Sequence, residues 1–196
     1  MQIDIQITPN TNAKKFIIIN LQNKIKKSYF FQTVEKAQEY SALAVELFKT
    51  HKIDAIFLFQ NFITITKKSN IEWHEIEQNI IDKVNLYLKN NPDLINIKQK
   101  NNTENPPSNL FTNKDSIANK DIINKIEELL ETRIRPSIAL DGGDVMFKEY
   151  KNGIVKVALL GACVGCGQAT ITLKNGIESL LKYYIPEIKS VECDEI

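Results

Sequence analysis

Ile154-Val155-Lys156-Val157-Ala158-Leu159-Leu160-Gly161-Ala162-Cys163-Val164-Gly165-Cys166-Gly167 decides how the second half of this 196-residue chain folds. Its first seven residues are apolar but for one lysine, of strand length and rich in β-branched side chains, and a glycine-punctuated turn follows. Upstream, Asp144 to Tyr150 reads as a second strand. Lys151-Asn152-Gly153 joins the two into a hairpin, because Asn-Gly supplies the positive φ angles of a tight turn. Further upstream, Ile122/Ile123, Ile126, Leu129/Leu130 and Ile134 recur at helical intervals, and Arg135-Pro136 is expected to stop that helix, since proline disfavours a helical predecessor. Downstream, Leu173, Ile177, Leu180, Leu181 and Tyr184 line one face of a final helix with Pro186 just beyond it, and Ile188 to Glu192 is a candidate third strand. The order α-β-β-α-β predicts a small sheet covered by two helices.

From Asn90 to Asn113 periodicity is lost: the segment holds eight asparagines and three prolines, and it reads as a linker. Before it, alternating runs at 2–7 and 16–20, a helix from about Glu35 to Lys49, strands at 54–59 and 62–66, and a helix carrying Trp73, Ile76, Ile80, Val84 and Tyr87 make a separate α+β unit. The expected organisation is therefore two small α+β domains, residues 1–89 and 117–196, joined by a flexible linker over 90–116.

Charge excludes some function classes. Residues 1–90 sum to +3 and residues 115–196 to −3, too little of either sign to attract nucleic acid or an anionic membrane surface. The longest apolar runs are strand length, far below the roughly 20 residues that span a bilayer. Met1 to Ile7 alternates like a half-buried strand and lacks the basic start of a signal peptide, and three cysteines with one close pair do not make a secreted disulfide framework. A cytoplasmic protein in a reducing compartment is the expectation.

Cys163 and Cys166 lie at a strand-to-helix junction. Backbone N–H groups at a helix start carry positive partial charge and favour the thiolate that binds metal or attacks disulfides. Glycines at 161, 165 and 167 let the backbone approach an inorganic sulfide. A tetrahedral thiolate site or an iron–sulfur cluster normally takes four ligands, and the chain has no second pair. Three readings follow. An incidental core pair leaves the three glycines without a purpose. A redox dithiol, the thiol–disulfide oxidoreductase alternative, uses this spacing but lacks here its βαβ context and the Trp before the first cysteine. The reading favoured is a half-site, in which a two-fold axis makes four ligands out of two. His51 and His74 lie in the other domain and read as surface residues, and Cys193 as a bystander. Asp141-Gly142-Gly143-Asp144 reads as a bend with an aspartate bonding local N–H groups rather than as a catalytic carboxylate pair. Gly176 in a helix interior suggests a close approach to the sheet or to a partner chain. No nucleophile–base pair, phosphate loop or nucleotide fingerprint appears, so the chain is expected not to be an enzyme.

Arg135-Pro136-Ser137-Ile138-Ala139-Leu140-Asp141-Gly142-Gly143-Asp144-Val145, then Val157-x-Leu159-x-Gly161-Ala162-Cys163-x-Gly165-Cys166, then Thr172-Leu173-Lys174-x-Gly176-Ile177-Glu178 resemble the NifU-like domain of the Nfu family over residues 117–193. Thr8-Pro9-Asn10-x-Asn12-x-x-Lys15-Phe16, Ser41-x-Leu43-Ala44-x-x-Leu47-Phe48, Phe62 to Lys67, and Trp73 resemble that family's N-terminal domain. The resemblance implies a homodimer bridged by a [4Fe-4S] cluster with Cys163 and Cys166 as ligands, received from upstream iron–sulfur assembly proteins and delivered to apo iron–sulfur client proteins. Three departures stand out: Gly167-Gln168-Ala169 where Pro and Ser often follow the second cysteine, Ala42 in place of a common proline, and Gln60 where glycine is usual.

Overall fold

A computed structural model describes residues 2–91, 93–95, 117–165 and 167–194. In the N-terminal unit, strands β1 (Ile3–Ile7), β2 (Ala13–Ile18), β3 (Ile25–Phe31), β4 (Ile53–Gln60) and β5 (Phe62–Lys67) form an antiparallel sheet in the order β1-β2-β5-β4-β3. Helices α1 (Val34–Gln38), α2 (Ala42–Phe48) and α3 (Glu77–Asn90), the last preceded by a 3-10 turn at Trp73–Glu75, complete it. Strand side chains alternate between faces. Phe16, Ile18, Ile56, Leu58, Ile63 and Ile65 share a core with Leu43 and Leu47 of α2 and Ile80, Val84 and Leu88 of α3. The opposite face of β4 and β5 carries Phe57, Phe59 and Phe62, and these are buried too, against Leu160 and Ala139 of the C-terminal unit. That accounts for the unbroken apolar run at 55–59: both faces of β4 are covered.

β3 has no counterpart among the strands expected from sequence. Lys26 and Lys27 interrupt its pattern, and its pairing with β4 shifts register between Ile25 and Tyr29, as suits a charged edge strand. The single helix expected over 35–49 is two. Ser41 intervenes in extended conformation and caps α2, accepting the Ala44 N–H at 3.2 Å, while its hydroxyl lies 3.0 Å from the Leu94 carbonyl that accepts its proton. Ala42 stands at the first helical position of α2, where a proline would also be tolerated. Ser41→Ala leaves the helix start and a buried carbonyl without partners, and is expected to cost about 1–3 kcal/mol, read as a lower denaturant midpoint with an unchanged m-value. Gln60 takes the left-handed conformation that a glycine would take freely, with φ 49°, at a local cost of about 1–2 kcal/mol. Asn90 ends α3 and Leu94 is 1% exposed in the N-terminal core, so the first residues of the stretch read as linker belong to this unit. Residues 96–116 of that stretch lie outside the described residues.

The C-terminal unit follows the expected order, with α4 (Ile117–Leu129), α5 (Arg135–Leu140), β6 (Gly143–Lys151), β7 (Ile154–Gly161), α6 (Gly167–Tyr184) and β8 (Ser190–Asp194). Its sheet runs β6-β7-β8, with β6 antiparallel and β8 parallel to β7, and α6 is the crossover that parallel pairing requires. Asn152 and Gly153 both have positive φ, 54° and 84°, as a type I′ hairpin turn needs. One expectation is corrected here. Arg135-Pro136 does not stop the helix: a π-helical turn over Leu130–Ile134 leads directly into α5, where Pro136 sits in the first turn. The wider π turn just ahead of Pro136 relieves the clash that its ring would otherwise make with the preceding turn.

Candidate functional site

The loop after β7 is shaped by two left-handed glycines, Gly161 at φ +67° and Gly165 at +77°. Within the C-terminal unit it is tied down by Ala162 N–H to the Gly142 carbonyl and Val164 N–H to the Gly161 carbonyl, each at 3.2 Å. The Thr170 hydroxyl, in the first turn of α6, donates to the Cys163 carbonyl at 3.2 Å. Cys163 is half-buried, packed against the C-terminal core. Its Sγ lies over Gly143, so closely that a Cβ on that glycine would come within 2.4 Å of it. Gly165 is exposed, and beyond its chain neighbours no atom of the described residues lies within 4 Å of where its Cβ would be. Cys166 lies outside the described residues, and α6 begins at the next residue.

Asp141 to Asp144 is structural, as its sequence suggests. Gly142, φ +80°, turns the chain out of α5, and Asp144, 1% exposed, accepts the Val145 N–H at 2.8 Å. Sequence reasoning missed the partner of Asp144. Arg135 donates to it through Nε and Nη2, both at 2.7 Å, also pairs with Glu131, and lays its guanidinium 5.6 Å from the centre of the Phe59 ring. Its hydrogen bonds to Asp144 raise its pKa further above the usual arginine value. Arg135 and Asp144, near the two ends of the Arg135–Val145 signature, are thus one bidentate pair whose carboxylate is buried.

The other candidates separate from the loop. Cys193 pairs in register with Val157, four residues before Gly161, which leaves it roughly 13 Å short of the loop along the strand. Burial pushes its thiol pKa up. His51 and His74 are exposed in the N-terminal unit, and among the described residues no three His, Cys, Asp or Glu side chains group as a metal site. Outside its own helix backbone and chain neighbours, Gly176 has no atom of the described residues within 4 Å of its missing Cβ, so a close approach to the sheet does not explain it.

The N-terminal unit reaches the loop directly, a feature not read from sequence. Asn10 Nδ2 donates to the Ala162 carbonyl at 3.1 Å and the Val164 carbonyl at 2.9 Å. Lys15 Nζ donates to the carbonyls of Ala139 and Leu140, at 2.9 and 3.2 Å, and Thr64 Oγ1 to that of Gly142 at 2.7 Å. Burial pushes the Lys15 pKa down, opposed in part by the Asp141 carboxylate. The available signal was the polar cluster Thr8–Lys15 within an otherwise strand-like start.

Fold and site together define a two-unit α+β protein in which a glycine-turned cysteine loop, set between strand and helix, is gripped from behind by the N-terminal sheet. The NifU-like domain matches residues 126–192, and the family described as scaffold protein Nfu/NifU N terminal matches residues 3–91. The chain belongs to the Nfu family. It is 35% identical over 193 residues to the human protein named NFU1 iron-sulfur cluster scaffold homolog, mitochondrial, an alignment covering 98% of this chain and 71% of that one. With the protein of the same name from Drosophila persimilis it shares 34% over 197 residues, 98% of this chain and 64% of the other. A solution structure of a NifU-like protein from Saccharomyces cerevisiae aligns with 50% of this chain and 87% of its own, at 25% identity and a TM-score of 0.45.

Proposed function

We propose that two copies of this chain carry an iron–sulfur cluster between their Cys163 and Cys166 thiolates and pass it to apo-proteins. The observation that carries this reading is the loop itself. Cys163 sits half-exposed just before α6, and the neighbouring Gly165 opens on solvent, which leaves room for the same loop of a second copy. Four thiolates from two chains suit a [4Fe-4S] unit. A cargo held only at such a seam leaves when the seam opens, which suits delivery to client proteins after loading by upstream assembly proteins. In this reading the protein is a carrier and not an enzyme, the stretch around 96–116 tethers its two units, and its place is the cytoplasm. The word mitochondrial in the relatives' names sets the alternative that cell fractionation decides.

Anaerobic reconstitution with iron and sulfide tests the proposal. The expected product is a brown dimer with two chains per cluster, absent for Cys163→Ser. A colourless monomer that reduces insulin disulfides would favour the oxidoreductase alternative instead.

A further inference from the structure

Three of the six buried polar or charged side chains among the described residues, Asn10, Lys15 and Thr64, spend their donors on backbone carbonyls of the C-terminal unit, so polar burial is concentrated where the two units meet. Interfaces of this polar kind between domains resemble those of reversible complexes. Asn10 differs from the other two in what it holds. Its amide donates to the carbonyls of Ala162 and Val164, the residues on either side of Cys163, while its Oδ1 accepts the Asn12 N–H at 3.0 Å. That last bond settles the amide's orientation, since a flip would set the oxygen against two carbonyls. Asn10 is 6% exposed, so the pair of bonds is shielded from water.

A loop with left-handed glycines at 161 and 165 has intrinsic freedom. Within its own unit the loop is held through the Ala162 and Val164 N–H groups and the Cys163 carbonyl, and the carbonyls of Ala162 and Val164 accept from Asn10. Asn10 thereby fixes the peptide planes that begin at Ala162 and Val164. The plane between them, from the Cys163 carbonyl to the Val164 N–H, is held by Thr170 and the Gly161 carbonyl, and the three together fix the direction in which the Cys163 side chain leaves the backbone. We propose that Asn10 is a positioning residue for Cys163, contributed by the other unit of the chain, and that docking of the N-terminal unit and retention of the cargo at the loop are coupled through it. By linkage, the coupling is reciprocal: a loop fixed by its cargo holds the N-terminal unit more tightly. The cargo half of this inference rests on the proposed function. The restraint on the thiol does not.

The test uses the full-length chain with Cys166→Ser and Cys193→Ser, which leaves Cys163 as its one thiol. Asn10→Ala removes the amide. Asn10→Asp keeps the acceptor for the Asn12 N–H, and with it the β1–β2 turn, but sets a carboxylate in place of the donor against both carbonyls, and a parental far-ultraviolet circular dichroism spectrum shows for each variant that it still folds. Thr64→Val cuts the same seam at Gly142, away from the loop. Losing two buried hydrogen bonds is expected to raise iodoacetamide alkylation of Cys163 about tenfold in both Asn10 variants, and less than about twofold in Thr64→Val. In the chain with all three cysteines, loaded by reconstitution, an iron chelator should strip Asn10→Asp about tenfold faster than the parent, with altered visible circular dichroism of the cluster. Parental alkylation rates in both Asn10 variants overturn the proposal, and so does equal acceleration by Thr64→Val, which would make the seam as a whole the agent. If the parent takes up no cluster, the reading of function fails while the alkylation comparison still decides the role of Asn10.

Discussion

Arg135→Ala is expected to lower the stability of the C-terminal unit by about 3–5 kcal/mol, because it leaves the Asp144 carboxylate buried without its counter-charge. Asp144 is 1% exposed, and of the oxygens that Arg135 engages at 2.7 Å only Oδ1 keeps another partner among the described residues, the Val145 N–H. A domain of this size has only about 5–15 kcal/mol of total stability, so the loss is a large share of it. Reciprocal removal should be smaller. Asp144→Asn leaves Arg135 half-exposed with Glu131 and the Phe59 ring still beside it, and water can take up the remaining charge. The measurement is a denaturant midpoint followed by a probe confined to the C-terminal unit, since Trp73, the single tryptophan, reports the N-terminal one. Equal losses for the two substitutions would mean that the guanidinium rather than the buried carboxylate sets the cost. The Phe59 contact adds a second consequence: Arg135→Ala also removes a cation from the aromatic face of β4, so the seam between the units should loosen in parallel.

How much of this was legible in the residues follows from the range of the interactions that set them. The β6–β7 hairpin, α6 and β8 were readable because each is announced locally, by Asn152-Gly153, by helical spacing from Leu173 to Leu181, and by a short apolar run after Pro186. The thiol loop was readable for the same reason, since Gly161, Cys163 and Gly165 sit within five residues. What failed depended on partners distant in the chain or on a subtle backbone choice. A proline predicts a stop from the clash it makes with the preceding turn, and nothing local announces that a π turn over Leu130–Ile134 will relieve it. β3 carries two lysines because it is an edge, and being an edge is a property of the sheet. The apolar run at 55–59 was read only as strand length, and it takes the fold to show that β4 is buried on both faces, the second of them by the C-terminal unit. For Asn10 the partners lie 152 and 154 residues away, and no periodicity in either segment encodes that meeting.

Gly143→Ala is the change expected to damage the site most with least disturbance elsewhere. The position does not have the positive φ that restricts Gly142 and Gly161, so an alanine suits its backbone conformation, and the penalty comes from space alone. Its Cβ would come 2.4 Å from Cys163 Sγ, 2.8 Å from the Leu160 carbonyl oxygen and 3.2 Å from Ile138 Cγ2. The carbonyl belongs to the central strand β7 and cannot retreat without loosening its pairing to β6, in which Gly143 faces Gly161 and Asp144 faces Leu160. The sulfur can move, because it is half-buried and the Gly165 side of the loop is open. Overpacking of this kind costs about 1–3 kcal/mol, shared between strain in the β6–β7 ladder and displacement of Cys163 from its seat. The variant should therefore fold, with a lowered melting temperature. It should bind far less iron and sulfide after reconstitution than the parent, because a thiol pushed outward no longer leaves the backbone in the direction that Asn10 and Thr170 hold it to. Iodoacetamide separates the two contributions. If Cys163 in folded Gly143→Ala is alkylated at the parental rate while iron uptake is lost, strain in the ladder is the cause and the seat of the sulfur is not. Faster alkylation together with lost uptake places the effect on Cys163, and would show that this glycine is required because a cysteine thiol occupies the space its side chain would fill.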